Sequence, residues 1–287
     1  MFTSVSLSDS LPLTCARSGS CCHGNRVRLN PWELRQLATA SGISVYDFLK
    51  RYTTDGGIFL RFKGKANQAG RKACNLYVEN LGCSVHPARP LACRLFPLGR
   101  VIQNGEATYM HLGKTFPCLS ECAEVLELPQ MTVESYLSGQ ETTLFERAQD
   151  AYLEVLQNLA DVALTLLLDT ELVERIEFQV LLSWEQLGKA TPTVLADKIG
   201  EEWLQHLLKP NLPNDLIDPD TFVQVHSEQI MQAAQILCDQ LSTVQEIYEA
   251  SILMMTMALF LAHAVGADAA GLSEWWVQIA KENGAEA

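Results

Sequence analysis

Eight of the nine cysteines in this 287-residue chain fall between Cys15 and Cys122, and Cys238 stands apart from them. The eight are Cys15, Cys21, Cys22, Cys74, Cys83, Cys93, Cys118 and Cys122. Structural zinc usually takes paired C-x(2–4)-C turns, because a tight turn presents two sulfurs to one tetrahedral ion. Only Cys118-Leu-Ser-Glu-Cys122 comes near that spacing. Cys21 and Cys22 are adjacent, and in an extended backbone successive side chains diverge. Such a pair suits a polynuclear centre, or one ligand with one bystander. The eight cysteines are therefore read as thiolate ligands of one centre, either an iron–sulfur cluster of the 4Fe-4S kind or a zinc or iron ion. Loop ligands so scattered favour iron–sulfur over a single zinc. His86, in C-S-V-H-P, is a candidate nitrogen ligand, and His23, directly after the cysteine pair, is a second.

Several thiolates at one site repel each other, and a metal only partly cancels their charge. Arg17, Arg89 and Arg94 lie beside cysteines in the sequence. Arg89 and Arg94 are assigned to the cofactor as donors to sulfur, which would tune ligand basicity or reduction potential. Pro87, Pro90 and Pro97 fix φ and push the preceding residues out of the helical region. A ligand-bearing loop can then be stiff without regular structure.

Around these residues the chain changes character. The first 118 residues carry 15 Lys and Arg against 6 Asp and Glu, whereas the remainder carries 6 against 28. A 48% hydrophobic content supports a sizeable core and excludes general disorder. The opening M-F-T-S-V-S-L-S-D-S has no basic stretch leading into an apolar run, and clustered cysteines in a chain of this size point to a reducing, cytoplasmic setting. Residues 25–52 read as two short helices, with Asn30, Pro31 and Glu33 opening the first and Ser44 capping the second. Short strands are expected at 58–62 and 74–78, and a hairpin at 100–112 turning on Asn104-Gly105. From about residue 130 the three- and four-residue apolar spacing of helices takes over, with helices expected near 142–168, 171–187, 192–208, 219–241, 243–265 and 272–282. The fold expected is mainly α, α+β overall. A small irregular α+β cysteine-cluster domain (1–140) leads into an antiparallel, acidic helical bundle (141–287). The apolar run 252–265 is shorter than the roughly 20 residues a bilayer core needs, so it is read as a buried helix and no membrane span is expected.

The order C-A-R-S-G-S-C-C-H-G (15–24), L-N-P-W-E-L-R-Q-L-A (29–38) and C-S-V-H-P-A-R-P-L-A-C-R-L-F-P (83–97) resembles the YkgJ-type cysteine-cluster family (CxxCxxxxCC), described as zinc- or iron-chelating domain proteins. The resemblance spans about residues 13–140 and continues into M-T-V-E-S-Y-L-S-G-Q after Cys122. It implies a metal centre on the cysteines. One departure stands out: Ser18 occupies a place where the family carries a further cysteine. A hydroxyl substitutes poorly for a thiolate, and Cys122, His23 and His86 are the candidates to replace it. The same resemblance includes a more distant enzymatic relative, flagellin lysine-N-methylase, whose cysteine motif is taken to carry an iron–sulfur cluster.

The reading that follows is a metal-binding protein holding an iron–sulfur or zinc/iron centre through clustered thiolates. One alternative is an iron–sulfur-dependent protein lysine N-methyltransferase. Another is a metal-stabilised protein-interaction module. Enzymatic status stays open, because the chain shows no P-loop, no dinucleotide fingerprint and no radical-type C-x3-C-x2-C triplet. A metal ion is the expected partner, with a protein substrate or partner besides. No nucleic acid is expected, since the basic stretch R-F-K-G-K-A-N-Q-A-G-R-K (61–72) matches no nucleic-acid motif.

Overall fold

In the computed structural model, which describes residues 3–14, 19–103, 106–111, 126–168, 177–212 and 218–285, the chain divides into two compact units. The first gathers residues from 1–28, 35–53 and 59–146, and the second from 29–34, 54–58 and 147–287.

Strands in the first unit are short, interrupted by glycines and prolines. β1 (Thr3–Val5) and β2 (Ser10–Leu11) open the chain; β3 (Thr53–Thr54), β4 (Phe59–Leu60), β5 (Tyr77–Val78) and β6 (Gly82–Cys83) follow, then β7 (Leu98–Gln103), β8 (Glu106–His111) and β9 (Met131–Thr132). The largest sheet has the order β1-β8-β7, with Thr3 and Leu98 both opposite His111; β2 pairs with β9 and β5 with β6, all antiparallel. β7 and β8 are the expected hairpin arms, while the Asn104-Gly105 turn lies outside the described residues. The helices begin where their caps dictate. Asn30 and Glu33 satisfy each other's backbone N–H groups at the start of α1 (Pro31–Ala40), a reciprocal capping box. Ser44 Oγ accepts from Asp47 N–H at 3.0 Å to open α2 (Val45–Tyr52). α3 (Leu91–Leu95) and α4 (Val133–Gly139), the latter capped by Thr132, complete the set.

The helical part comprises α5 (Thr143–Leu168), α6 (Glu177–Gly188), α7 (Pro192–Leu208), α8 (Pro219–Cys238), α9 (Val244–Val265) and α10 (Ala269–Glu282). Thr191, Asp218 and Thr243 cap α7, α8 and α9, and Gly266, at φ 81°, ends α9 in the left-handed conformation. α9 packs against α6, α7, α8 and α10, and Ser251 Oγ donates to the Ala163 carbonyl of α5. A helix apolar on every side belongs at the middle of a core, and Met254, Met255, Met257, Leu259, Phe260 and Leu261 are all fully buried. α5 and α9 are both long and apolar enough to cross a membrane by length and composition; 72% of the apolar window in α9 is buried within the protein, against 44% in α5, so α9 spends its apolar surface on its neighbours. With ten α-helices and sheets of two or three strands among the described residues, the chain is mainly α in an α+β arrangement.

One polar network lies inside the helical unit. His226 and Tyr152 are fully buried, and the Tyr152 hydroxyl meets His226 Nδ1 at 2.8 Å. His226 Nε2 stands 2.8 Å from the His206 carbonyl. A carbonyl only accepts, so Nε2 carries the proton and Nδ1 accepts from the tyrosine. The imidazole is thus held neutral, and burial lowers its pKa to about 4. In the unfolded chain the same ring titrates near ~6.5. Between these values the unfolded state binds a proton that the folded state refuses, so stability falls as pH falls. Denaturant melts of the wild type from pH 6.5 to 4 should show a loss of about 3 kcal/mol that a His226→Asn variant lacks, in the difference between the two proteins.

Candidate metal centre

Four separate segments of the first unit bring their cysteines together. Gly19, at φ 76°, turns the chain into a 3-10 turn, Ser20–Cys22, that carries Cys21 and Cys22. A Cβ on Gly19 would lie 3.0 Å from the Tyr77 ring, so only glycine fits both the turn and the approach. On this turn the adjacent sulfurs stand 4.0 Å apart, closer than an extended backbone would bring them. Cys74 is tied to the same turn through its N–H, which donates to the Cys22 carbonyl at 2.8 Å, and an antiparallel bridge joins His23 to Ala73. Tyr77 N–H donates to the Cys74 carbonyl, and Tyr77 stands opposite Cys83 in the β5–β6 pair. Cys93 comes from α3, which opens directly after Pro90.

Electrostatics shows that these thiols share one environment. Burial pushes the Cys93 thiol well up, and ionised Cys21, Cys74 and Cys83 would push it further. Burial likewise raises Cys83, and raises Cys74 to about 11. The Cys21 thiolate takes a hydrogen bond from the Cys22 thiol, which with the charge of Arg89 brings Cys21 down to about 7; the same bond drives Cys22 upward. One of the five therefore ionises readily, and each further thiolate is resisted by burial and by its neighbours. A metal cation reverses that balance, because thiolates, not thiols, are its ligands and binding expels their protons. The donor set fits a zinc or iron centre. Among the described residues no three His, Cys, Asp or Glu side chains are disposed as they stand to hold a metal ion.

The remaining candidates separate. Cys15, Cys118 and Cys122 lie outside the described residues, as does Arg17. His86 is exposed on the 3-10 turn His86–Ala88. His23 is buried, its Nδ1 3.0 Å from the Gly19 carbonyl and its ring edge-on to Tyr77 at 4.9 Å. The charge of Arg89 favours the thiolate forms of Cys21, Cys83 and Cys93. Its Nε donates to the His86 carbonyl at 3.1 Å and its Nη2 to Gln140 Oε1 at 2.9 Å.

Arg94 has a different employment from the sulfur donor expected. It is buried, with Nε donating to the Arg89 carbonyl, Nη1 to the Gln140 carbonyl and Nη2 to the Pro87 carbonyl. Its guanidinium lies 4.0 Å over the Phe145 ring. The Tyr136 hydroxyl, meanwhile, reaches the Arg94 and Phe96 carbonyls. Gln140, Tyr136 and Tyr77 were not singled out in the sequence. Gln140 and Tyr136 lie more than 35 residues from the loop they hold, and no local spacing marks such a partnership. Replacing Arg94 by Met strips three carbonyls of their donor and should cost about 3 kcal/mol in a denaturant melt; Arg94→Lys should recover only part, since a point charge cannot span the planar fork.

No curated protein and no solved structure matches this chain significantly. Residues 14–112 match the model of the CxxCxxCC family, whose description reads "Putative zinc- or iron-chelating domain". That stretch holds all five gathered cysteines and both arginines, so the amino-terminal part of the chain is similar to a zinc- or iron-chelating domain, which supports metal binding there.

Proposed function

We propose that the protein binds its metal as an iron–sulfur cluster on Cys21, Cys22, Cys74, Cys83 and Cys93, with Cys15, Cys118, Cys122 and His86 as the further donors available to it. A zinc or iron ion on the same sulfurs is the simpler form of this reading. The convergence of thiols from four segments around Cys93 carries it. The scatter of the cysteines over separate segments, in place of paired C-x(2–4)-C turns, favours the cluster over a single zinc. When bound, such a centre supplies one-electron chemistry or a Lewis acid; the chain supplies the sulfurs and the cation beside them. The centre-bearing domain is taken as 1–140 and the acidic helical domain as 141–287. The described cysteines are all free thiols, which supports work in the reducing cytoplasm.

Anaerobic purification followed by elemental and sulfide analysis tests this. Brown protein with iron and acid-labile sulfide is the expected result, and Cys93→Ser should lower the metal content severalfold while Cys238→Ser leaves it unchanged. Colourless protein holding zinc would replace the cluster by the ion. Wild-type protein that holds neither metal would remove the reading altogether. The loaded sample, given a methyl donor and a lysine-bearing protein, also decides whether it transfers methyl groups or only binds metal.

A further inference from the structure

Between residues 10 and 78 the chain carries 11 Lys and Arg against 3 Asp and Glu, and all three carboxylates are engaged elsewhere. Glu33 closes the capping box of α1, Asp47 accepts from Ser44 Oγ at 2.8 Å, and Asp55 accepts from Thr54 and Thr193. Val27 and Arg28 run beside β4: Leu60 N–H donates to the Val27 carbonyl at 2.9 Å, and Arg28 stands opposite Phe59 in an antiparallel bridge. Val27 and Leu29 are buried, whereas Arg26 and Arg28, alternating with them, are exposed. The Arg26 guanidinium rests 4.1 Å over the Phe59 ring, which orders it and leaves its in-plane donors open to a ligand. A second arm comes alongside. Gly24 N–H donates to the Lys72 carbonyl at 2.9 Å, and a Cβ on Gly24 would lie 2.9 Å from Cδ of Arg71, whose stem crosses there. Lys72 is exposed, and no carboxylate among the described residues forms an ion pair with Arg26, Arg28 or Lys72.

We propose that Arg26, Arg28 and Lys72 form a docking ridge for a carboxylate-rich segment of a partner protein. Outward residues two apart on a strand are separated by about 6.6 Å. Alternate Asp or Glu side chains on an extended partner have the same spacing, so each guanidinium fork meets one carboxylate. An open surface of this kind suits the side of a macromolecule, whereas a small anion is held by concave walls. A nucleic acid fits it less well. The ridge offers three cations where a duplex binder neutralises about six to ten phosphates. Phe59 is buried beneath Arg26 and gives no face on which a base could stack, and the chain's net charge of −13 repels a long polyanion. Gly24 follows Cys22 by two positions and Lys72 precedes Cys74 by two, so a partner on the ridge lies beside the backbone that carries two of the cysteines. The inference does not depend on what those sulfurs hold.

Fluorescence anisotropy of a labelled peptide of alternating Glu and Ser, titrated with the full-length protein, reads the ridge. Wild-type protein should bind the peptide, and binding should weaken about tenfold as salt rises from about 20 to 200 mM. At low salt Arg26→Ala with Arg28→Ala should weaken it about tenfold, and Lys72→Ala, on the other arm, about threefold. Arg26→Lys with Arg28→Lys should keep part of the affinity, since an ammonium lacks the fork. Lys189→Ala, which removes one cation from the helical unit, should change nothing. Wild-type protein that binds the peptide no better than the double alanine variant, or with no dependence on salt, would overturn the inference. So would a short single-stranded oligonucleotide that binds more tightly than the peptide and is lost in the same variant, which would assign the ridge to nucleic acid. Far-UV circular dichroism of each variant, expected unchanged, separates a lost contact from a lost fold, and the salt series on the wild type needs no variant.

Discussion

Sulfur anions gathered in one place repel one another, and everything in the amino-terminal unit answers to that fact. Five thiols reach a common environment, yet only Cys21 ionises near neutrality, helped by its neighbour's S–H and by Arg89. Cys74, Cys83 and Cys93 stay protonated because burial and the other sulfurs both oppose a second charge. Such a cluster has no attraction of its own to close it. A cation with more charge than a proton would offset that repulsion, and the likeness to a zinc- or iron-chelating domain agrees with one.

The backbone carrying the sulfurs must hold its place without long strands or helices, and it does so through carbonyls. His86, Pro87, Arg89 and Gln140 each give a carbonyl oxygen to an arginine, and Arg94 and Phe96 give theirs to Tyr136. A guanidinium is suited to this, with five donors in a plane and a charge that no physiological pH removes. The two arginines of the cysteine loop therefore divide the work. Arg94 is buried and builds the frame; Arg89 is half-exposed and held by the His86 carbonyl and Gln140 Oε1. Prolines fix the torsions between them, so the fifteen residues from Cys83 to Pro97 are rigid through side-chain bonds where a strand would use a ladder.

How much of this the sequence disclosed depended on the range of the cause. The helix starts at Asn30 and Ser44 rest on a residue and the third one after it, and they were legible. The continuous apolar run 252–265 likewise marked α9 as a buried helix. The cysteines announced a metal centre by number and clustering. The adjacent pair misled, because Gly19 puts it on a turn where the expectation assumed an extended chain. The roles of the two arginines were not separable, since both stand beside cysteines in the sequence. What distinguishes them is Gln140, and no local pattern pairs residue 140 with residues 89 and 94.

Both units bury a basic side chain against carbonyl oxygen, and the choice of residue follows the number of oxygens. Arg94 meets three carbonyls and stands 3.8 Å from the Glu141 carboxylate, negative charge enough to hold a permanent cation even out of water. His226 meets one carbonyl and one hydroxyl, too little to compensate a charge, and so it stays neutral with each nitrogen satisfied in a single tautomer. Exchange of the two would fail on either side. An imidazole has two nitrogens to offer where Arg94 serves three carbonyls, and a guanidinium between Tyr152 and His206 would be an uncompensated ion in an apolar core. The cysteine unit is thereby framed by a charge that does not titrate, which leaves the thiols themselves as the groups whose protons a metal must displace.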